Sequence, residues 1–85
     1  MDLNAKIAIV TGASSGIGAE FSRMLVSNGT TVYGLARSKD KLIGLRNELG
    51  ERFHPVTMDI TNTDSLEEWV NNTFGQDYQP DILIN

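Results

Sequence analysis

Residues 7–18 read Ile-Ala-Ile-Val-Thr-Gly-Ala-Ser-Ser-Gly-Ile-Gly, an apolar run that ends in a glycine-rich turn. A nearly continuous apolar run is typical of a strand that is covered on both faces of a parallel sheet. After the turn, apolar residues lie three and four positions apart, namely Ile17, Phe21, Met24 and Leu25. This spacing predicts a helix whose apolar stripe faces the core. The stretch therefore predicts a buried strand, a tight turn and a helix in succession.

The three glycines of the turn, Gly12, Gly16 and Gly18, suit the binding of an anion. Glycine has no Cβ, so the backbone can approach a ligand closely and can adopt a positive φ. The first N–H groups of the following helix have no partner inside the helix, and the helix macrodipole adds positive potential there. Together these features predict a pocket for a pyrophosphate. The alternative is a glycine-rich turn that binds no ligand.

The spacing of these glycines distinguishes the turn from other phosphate-binding loops. The P-loop needs a lysine after its second glycine, where this chain has Ile17. The common dinucleotide fingerprint is G-x-G-x-x-G, whereas the order here is G-x-x-x-G-x-G after Thr11. That order resembles the cofactor loop of the short-chain dehydrogenase/reductase family. The resemblance extends through Asp59-Ile60 to residues 82–85, Ile-Leu-Ile-Asn, where that family has an Asn-Asn-Ala-Gly stretch.

The composition limits the class of protein. The 85 residues suit one small domain, and the absence of cysteine excludes disulfides and thiolate metal sites. The net charge of -4 argues against nucleic acid as a partner. No apolar run approaches the ~18 residues of a membrane span, and the N-terminus lacks the pattern of a signal peptide. We therefore expect a cytoplasmic protein with neither nucleic acid nor a membrane as a partner.

Short strands alternate with helices along the whole chain. The predicted strands span residues 6–11, 31–36, 53–58 and 81–85; the helices span 16–28, 39–49 after an N-cap at Ser38, and a stretch that begins after a cap within 61–64. Pro55 places the third strand at a sheet edge, because proline cannot donate to a ladder. Right-handed crossovers put the first two helices on one face and the third on the other. The prediction is a Rossmann-type α/β fold, a doubly wound parallel sheet of order 3-2-1-4 with three helices and a ligand crevice between strands one and four.

The end of the second predicted strand indicates which nicotinamide dinucleotide is bound. An acidic residue there would hydrogen-bond the ribose hydroxyls of NAD, but this chain has Ala36 followed by Arg37. A guanidinium can hold a 2′-phosphate with paired hydrogen bonds, and Ser38 adds a hydroxyl group. We therefore expect NADP (NADPH) as the cofactor rather than NAD. The alternative for Arg37 is an ordinary exposed cation, and Ser15 stands where many NADP-preferring relatives carry a second basic residue.

The resemblance also implies roles for residues after the third and fourth strands. Asp59 matches the family's aspartate that holds the adenine amino group, Ile60 would flank the ring, and Asn85 matches an asparagine that lines the cofactor groove. A loop aspartate that satisfies turn amides is the alternative for Asp59. Ser14 and Ser15 either bind phosphate or ribose oxygens or satisfy the turn. The predicted cofactor-binding residues are Gly12, Ser14, Ser15, Gly16, Ile17, Gly18, Arg37, Ser38, Asp59, Ile60 and Asn85.

No residue of the chain is assigned a catalytic or a metal-binding role. The resemblance implies a Tyr-x-x-x-Lys pair and a serine later in the chain, but here Tyr33 is followed at +4 by Arg37, and Tyr78 by Ile82. His54, the single histidine, is predicted to be structural. We therefore expect residues 1–85 to be the N-terminal part of one NAD(P)-binding domain, truncated after the fourth strand and inactive alone.

The expected parent is an NADP(H)-dependent oxidoreductase that transfers a hydride between nicotinamide and a carbonyl or secondary alcohol. The resemblance implies a small-molecule substrate and a homo-oligomer. One alternative is a non-catalytic dinucleotide-binding module or inactive paralogue, which would lack the tyrosine and lysine downstream. Another is a methyl-donor-binding enzyme, but Ala36 and Arg37 stand where such an enzyme usually has an acidic residue.

Overall fold

The chain folds into a four-stranded parallel sheet with helices on both faces. The computed structural model describes residues 3–59, 61, 63–75 and 80–84. The strands are β1 (Ile7–Thr11), β2 (Thr31–Ala36), β3 (Phe53–Thr57) and β4 (Ile82–Ile84), and the helices are α1 (Gly16–Ser27), α2 (Lys39–Leu49) and α3 (Thr63–Phe74). The strand order is β3-β2-β1-β4, and every neighbouring pair is parallel. The predicted Rossmann-type fold and strand order are confirmed.

The predicted ends of the elements differ from the observed ones by one residue at several places. Lys6 and Met58 lie just outside β1 and β3, and Asn28 caps α1 instead of continuing it. Asp81 lies outside β4, but its N–H donates to the carbonyl of Ile7 and its carboxylate accepts from the N–H of Ile7. Asn85, predicted to end the fourth strand, lies outside the described residues. No helix of the described part of the chain is long and apolar enough to cross a membrane.

β1 occupies the centre of the sheet and is buried on both faces. Ala8, Ile9 and Val10 have no exposed surface: β2 and β4 flank the strand in the plane of the sheet, and α1 packs on one of its faces. At its carboxyl end, the Thr11 hydroxyl donates to the carbonyl of Ile84 over 3.2 Å. This bond ties β1 to β4 where the sheet opens into the predicted crevice.

The helices lie on the two faces as the crossover rule predicts. α1 packs on β1 and β2, and α2 packs on β2 and β3. On the opposite face, the Tyr33 ring stacks on His54 with centroids 4.7 Å apart. Trp69 and Phe74 of α3 meet the same tyrosine ring edge-on at 5.7 Å and 5.1 Å. The helix placement is confirmed, and the aromatic stack agrees with the structural role expected for His54.

The prediction that the apolar stripe of α1 is buried is wrong for three of its four residues. Ile17, Phe21 and Met24 are 75%, 39% and 42% exposed, and only Leu25 lies in the core. The helix instead buries a face of mostly small residues, namely Gly18, Ala19, Ser22 and Leu25. Small side chains let the helix backbone approach the sheet and the turn closely. The Ser22 hydroxyl is satisfied there, because it donates to the carbonyl of Gly18 at 2.9 Å.

Two glycines outside the turn provide opposite tests of this packing. A Cβ at Gly34 in β2 would overlap the ring of Phe53, which is fully buried, whereas a Cβ at Gly44 in α2 would meet open space. Gly34→Ala should therefore lower the free energy of unfolding by about 1–3 kcal/mol, the usual range for overpacking. Gly44→Ala should raise it by up to about 1 kcal/mol through helix propensity. Urea denaturation of both variants measures these changes, and equal effects would contradict the described packing.

Candidate dinucleotide-binding site

The three glycines of the turn have three different surroundings. Gly12 has a φ of +65°, the left-handed region that glycine adopts without strain. Gly18 lies so close to Gly12 that an added Cβ would overlap the Gly12 carbonyl oxygen. Gly16 has no protein atom within 4 Å of an added Cβ. The backbone conformation at Gly12 and the packing at Gly18 thus explain why these positions require glycine. The space beside Gly16 is open to a ligand.

The start of α1 presents backbone N–H groups that the protein does not use. The N–H groups of Gly18 and Ala19 are bonded to the hydroxyl and the carbonyl of Ser15. No acceptor among the described residues faces the N–H groups of Ser14, Gly16 or Ile17. Unbonded donors at a helix N-terminus, together with the helix macrodipole, form an arrangement that binds anions.

The two serines of the turn differ in their hydrogen bonds. Ser15 is the N-cap of α1: its hydroxyl accepts from the N–H of Gly18 at 3.3 Å and donates to the carbonyl of Gly12 at 2.8 Å. Ser15 therefore satisfies the turn, which is one of the two alternatives predicted for it. The Ser14 hydroxyl has no partner among the described residues, and Ser14 lines a cleft beside the turn.

Two clefts lie at the carboxyl edge of the sheet, where the fold predicts a ligand. One of about 400 Å³ runs from the turn to the end of β2 and is lined by Gly12, Ser14, Ala36, Arg37, Ser38 and Thr61. The other, of about 290 Å³, lies between the ends of β1 and β4 and is lined by Thr11, Gly12, Ser15, Ile17, Gly18, Phe21 and Ile84. Gly12 borders both clefts, so the glycine turn lies between them.

Arg37 provides an exposed positive charge at the first of these clefts. In the part of the chain that the structure describes, the ion pairs join Arg23 to Glu20 and Glu48, and none involves Arg37. The neighbouring Ser38 caps α2, because its hydroxyl accepts from the N–H of Lys41 at 3.4 Å. The guanidinium of Arg37 is therefore available to an anionic ligand.

Asp59 lies after β3 with one carboxylate oxygen already bonded. Its Oδ1 accepts from the Thr61 hydroxyl at 2.7 Å and from the Thr61 N–H at 3.1 Å. These bonds, with a smaller contribution from the charge of Arg37, lower the pKa of the exposed Asp59 carboxyl below its ordinary value. Asp59 thus satisfies a turn amide, as the alternative for this residue states, while its Oδ2 has no partner among the described residues. The predicted site residues Ile60 and Asn85 lie outside those residues.

The clefts also contain residues that the sequence analysis did not assign to the site, namely Thr11, Phe21, Ala36, Thr61 and Ile84. Among these, Thr61 has a side chain that hydrogen-bonds an assigned residue, Asp59. It was predicted only as part of a stretch that caps the third helix. A threonine two positions after an aspartate is a sequence signal for a side-chain turn, which would have paired it with Asp59. Its place beside Arg37 and Ser38 depends on the packing of β2 against β3, which the local sequence does not specify.

Comparison with known proteins identifies the family. A family model described as short chain dehydrogenase matches residues 6–85. The chain belongs to the short-chain dehydrogenase family. The resemblance predicted from the glycine turn is thereby confirmed, and the chain carries the open, parallel α/β fold of this family.

Relatives of the short-chain dehydrogenase family match nearly the whole chain. The 3-oxoacyl-acyl-carrier-protein reductase FabG of Vibrio harveyi is 36% identical over 85 residues, which are 100% of this chain and 35% of that protein. A probable NADP-dependent dehydrogenase of Dichelobacter nodosus is 38% identical over 80 residues, 93% of this chain and 74% of that protein. The chain thus spans about a third of the length of the first relative and three quarters of the second.

Solved structures of the family superpose on the whole chain. L-sorbose reductase from Gluconobacter frateurii, complexed with NADPH and L-sorbose, has a TM-score of 0.75 and 32% sequence identity. The match covers 100% of this chain and 35% of that reductase. A second structure, described as a short chain dehydrogenase/reductase family protein, has a TM-score of 0.80 at 29% identity.

Proposed function

We propose that residues 1–85 are the N-terminal, cofactor-binding part of a longer NADP(H)-dependent oxidoreductase. The full enzyme would transfer a hydride between nicotinamide and a carbonyl or secondary alcohol. One observation carries this proposal: a single cleft is lined by Gly12 and Ser14 of the glycine turn and by Arg37, which has no ion pair among the described residues. Within the described part of the chain, the N–H of Ser14 is unbonded, as are those of Gly16 and Ile17 in the adjoining part of the turn. A dinucleotide with a pyrophosphate and a 2′-phosphate needs both kinds of group.

In this proposal the glycine turn holds the pyrophosphate. The N–H groups of Ser14, Gly16 and Ile17 would donate to phosphate oxygens, and the open space beside Gly16 would allow close approach of the backbone. Gly12 and Gly18 would contribute by fixing the turn and the start of α1. The Ser14 hydroxyl would add a donor, while Ser15 would keep the helix capped.

The remaining proposed contacts concern the adenosine half of the cofactor. Arg37 and Ser38 would bind the 2′-phosphate, since a guanidinium forms paired, charge-assisted hydrogen bonds with a phosphate. The Asp59 carboxylate, through its unbonded Oδ2, would accept a hydrogen bond from the adenine amino group. Ile60 beside the adenine ring and Asn85 along the cofactor groove remain part of the proposal.

The chemistry of the reaction would come from the cofactor and from residues beyond this segment. When bound, the nicotinamide supplies or accepts the hydride, and residues 1–85 bind and orient the dinucleotide. Two relatives support NADP as the cofactor, because one is named NADP-dependent and another is solved with NADPH. We further propose a small-molecule substrate, a homo-oligomeric parent and a cytoplasmic location, with no nucleic acid or membrane as a partner.

Titration of the full-length protein with NADPH and with NADH tests this proposal. We expect NADPH to bind at least about tenfold more tightly, because charge-assisted hydrogen bonds contribute about 1.5–3 kcal/mol. Equal or tighter binding of NADH would contradict it. Oxidation of NADPH with a panel of carbonyl substrates then separates an enzyme from a non-catalytic dinucleotide-binding module, which would bind the cofactor without turnover.

A further inference from the structure

Thr61 lies beside the proposed cofactor site, but none of the proposed cofactor contacts involves it. Its hydroxyl and its N–H both donate to Oδ1 of Asp59, at 2.7 Å and 3.1 Å. Thr61 also lines the cleft that contains Arg37 and Ser38. Thr61 therefore hydrogen-bonds the carboxylate of Asp59 and lines the same cleft as Arg37.

The sheet brings Arg37 and Asp59 to the same edge. Ala36 of β2 pairs with Thr57 of β3, and the N–H of Met58 donates to the carbonyl of Ala36 at 2.8 Å. Arg37 and Asp59 each follow directly on this pairing, and both are exposed. Their opposite charges attract, yet among the described residues neither forms an ion pair with the other.

We propose that Thr61 is a positioning residue that holds the Asp59 carboxylate away from Arg37 and so leaves the guanidinium free for a 2′-phosphate. This inference rests on the proposed function. Without the Thr61 hydroxyl, the Asp59 carboxylate loses its shortest hydrogen bond and can rotate towards Arg37. It then competes for the guanidinium and repels a phosphate that binds there. NADH has no 2′-phosphate, so this competition does not affect its affinity. A change in the contact between Asp59 and the adenine amino group would affect both cofactors equally and cancels in the ratio of their affinities.

The test compares the ratio of NADH and NADPH dissociation constants in variants of the full-length protein. Thr61→Val should lower the preference for NADPH by about two- to fivefold, which corresponds to the strength of an exposed ion pair. The effect should decrease as salt is added, since exposed charges are screened. Thr61→Ser keeps the hydroxyl and should restore the preference. Thr73→Val, at an exposed position on α3, is the matched control and should leave the ratio unchanged.

Combining Thr61→Val with Asp59→Asn shows whether the change in cofactor preference depends on the Asp59 carboxylate. In Asp59→Asn the competing charge is absent, so the added Thr61→Val change should no longer alter the ratio. An effect that persists in this background overturns the proposal. So does a Thr61→Val variant that weakens NADPH and NADH by the same factor.

A direct structural readout separates this inference from the proposed function. A crystal structure of the Thr61→Val protein should show an Arg37–Asp59 ion pair that is absent from the unmodified protein. Failure of the unmodified protein to prefer NADPH contradicts the proposed function, and this ion pair still supports the positioning role in that case. An Asp59 carboxylate that keeps its position in Thr61→Val overturns the positioning role whatever the cofactor preference.

Discussion

Arg37→Asp should weaken the binding of NADPH by the full-length protein at least about tenfold, because it removes charge-assisted hydrogen bonds of about 1.5–3 kcal/mol and adds a repelling charge. NADH should bind with nearly unchanged affinity, since it carries no phosphate at the 2′ position. Fluorescence or calorimetric titration with both cofactors measures the two effects. The expected result is a change of cofactor preference without a loss of dinucleotide binding.

A second arginine provides the control for the change of charge. Arg52 is exposed at the opposite edge of the sheet, where it donates to the carbonyl of Gly29 at 3.2 Å. Arg52→Asp changes the net charge by the same amount, so it should leave the ratio of NADPH to NADH affinity unaltered. Equal effects of the two substitutions would mean that the overall charge of the protein, and not Arg37 in its cleft, sets the preference.

Gly16→Ala and Gly18→Ala should have opposite consequences, although the two glycines are two residues apart. A Cβ at Gly18 overlaps the Gly12 carbonyl oxygen, so Gly18→Ala should lower the free energy of unfolding by about 1–3 kcal/mol. A Cβ at Gly16 meets no protein atom within 4 Å, so Gly16→Ala should leave stability unchanged or slightly raised. Gly16→Ala should nevertheless weaken NADPH and NADH alike by roughly tenfold, the equivalent of one lost charge-assisted hydrogen bond.

Denaturation and cofactor titration of the same two variants check both halves of this prediction. Gly44→Ala serves as the control, because that glycine also has open space around an added Cβ but lies on α2, away from the clefts. It should keep full affinity for both cofactors. Unchanged cofactor binding by Gly16→Ala would show that the space beside Gly16 is not used by a dinucleotide.

The topology of the sheet could be predicted from a few residues. The alternation of strands and helices predicts a doubly wound sheet of order 3-2-1-4, and the edge position that Pro55 requires for its strand agrees with that order. The sides of the helices then follow from right-handed crossovers. The face of α1 could not be predicted in the same way. Hydrophobic periodicity identified Ile17, Phe21 and Met24 as buried, whereas close packing selected small residues for the buried face.

The sequence could predict those site residues whose role depends on their chemical type and local spacing. It could not predict those whose role depends on packing between distant parts of the chain. Glycine spacing located the turn, and the residues after β2 located Arg37. Why each position of the turn requires glycine depends on three-dimensional distances, such as the close approach of Gly18 to the Gly12 carbonyl oxygen. The place of Thr61 beside Arg37 and Ser38 likewise emerges only once β3 is paired with β2. Cofactor binding by the assigned residues stays a prediction, with Ile60 and Asn85 outside the described structure.

The backbone amides of the glycine turn report most directly whether the cofactor binds there. Nuclear magnetic resonance of the full-length, ¹⁵N-labelled protein would record the N–H signals of Ser14, Gly16 and Ile17 as NADPH is added. We expect these signals to shift strongly at saturation, and more than those of Gly18 and Ala19, whose N–H groups already have acceptors in Ser15. Saturable binding of NADPH that leaves the signals of Ser14, Gly16 and Ile17 in place would show that the glycine turn does not bind the pyrophosphate.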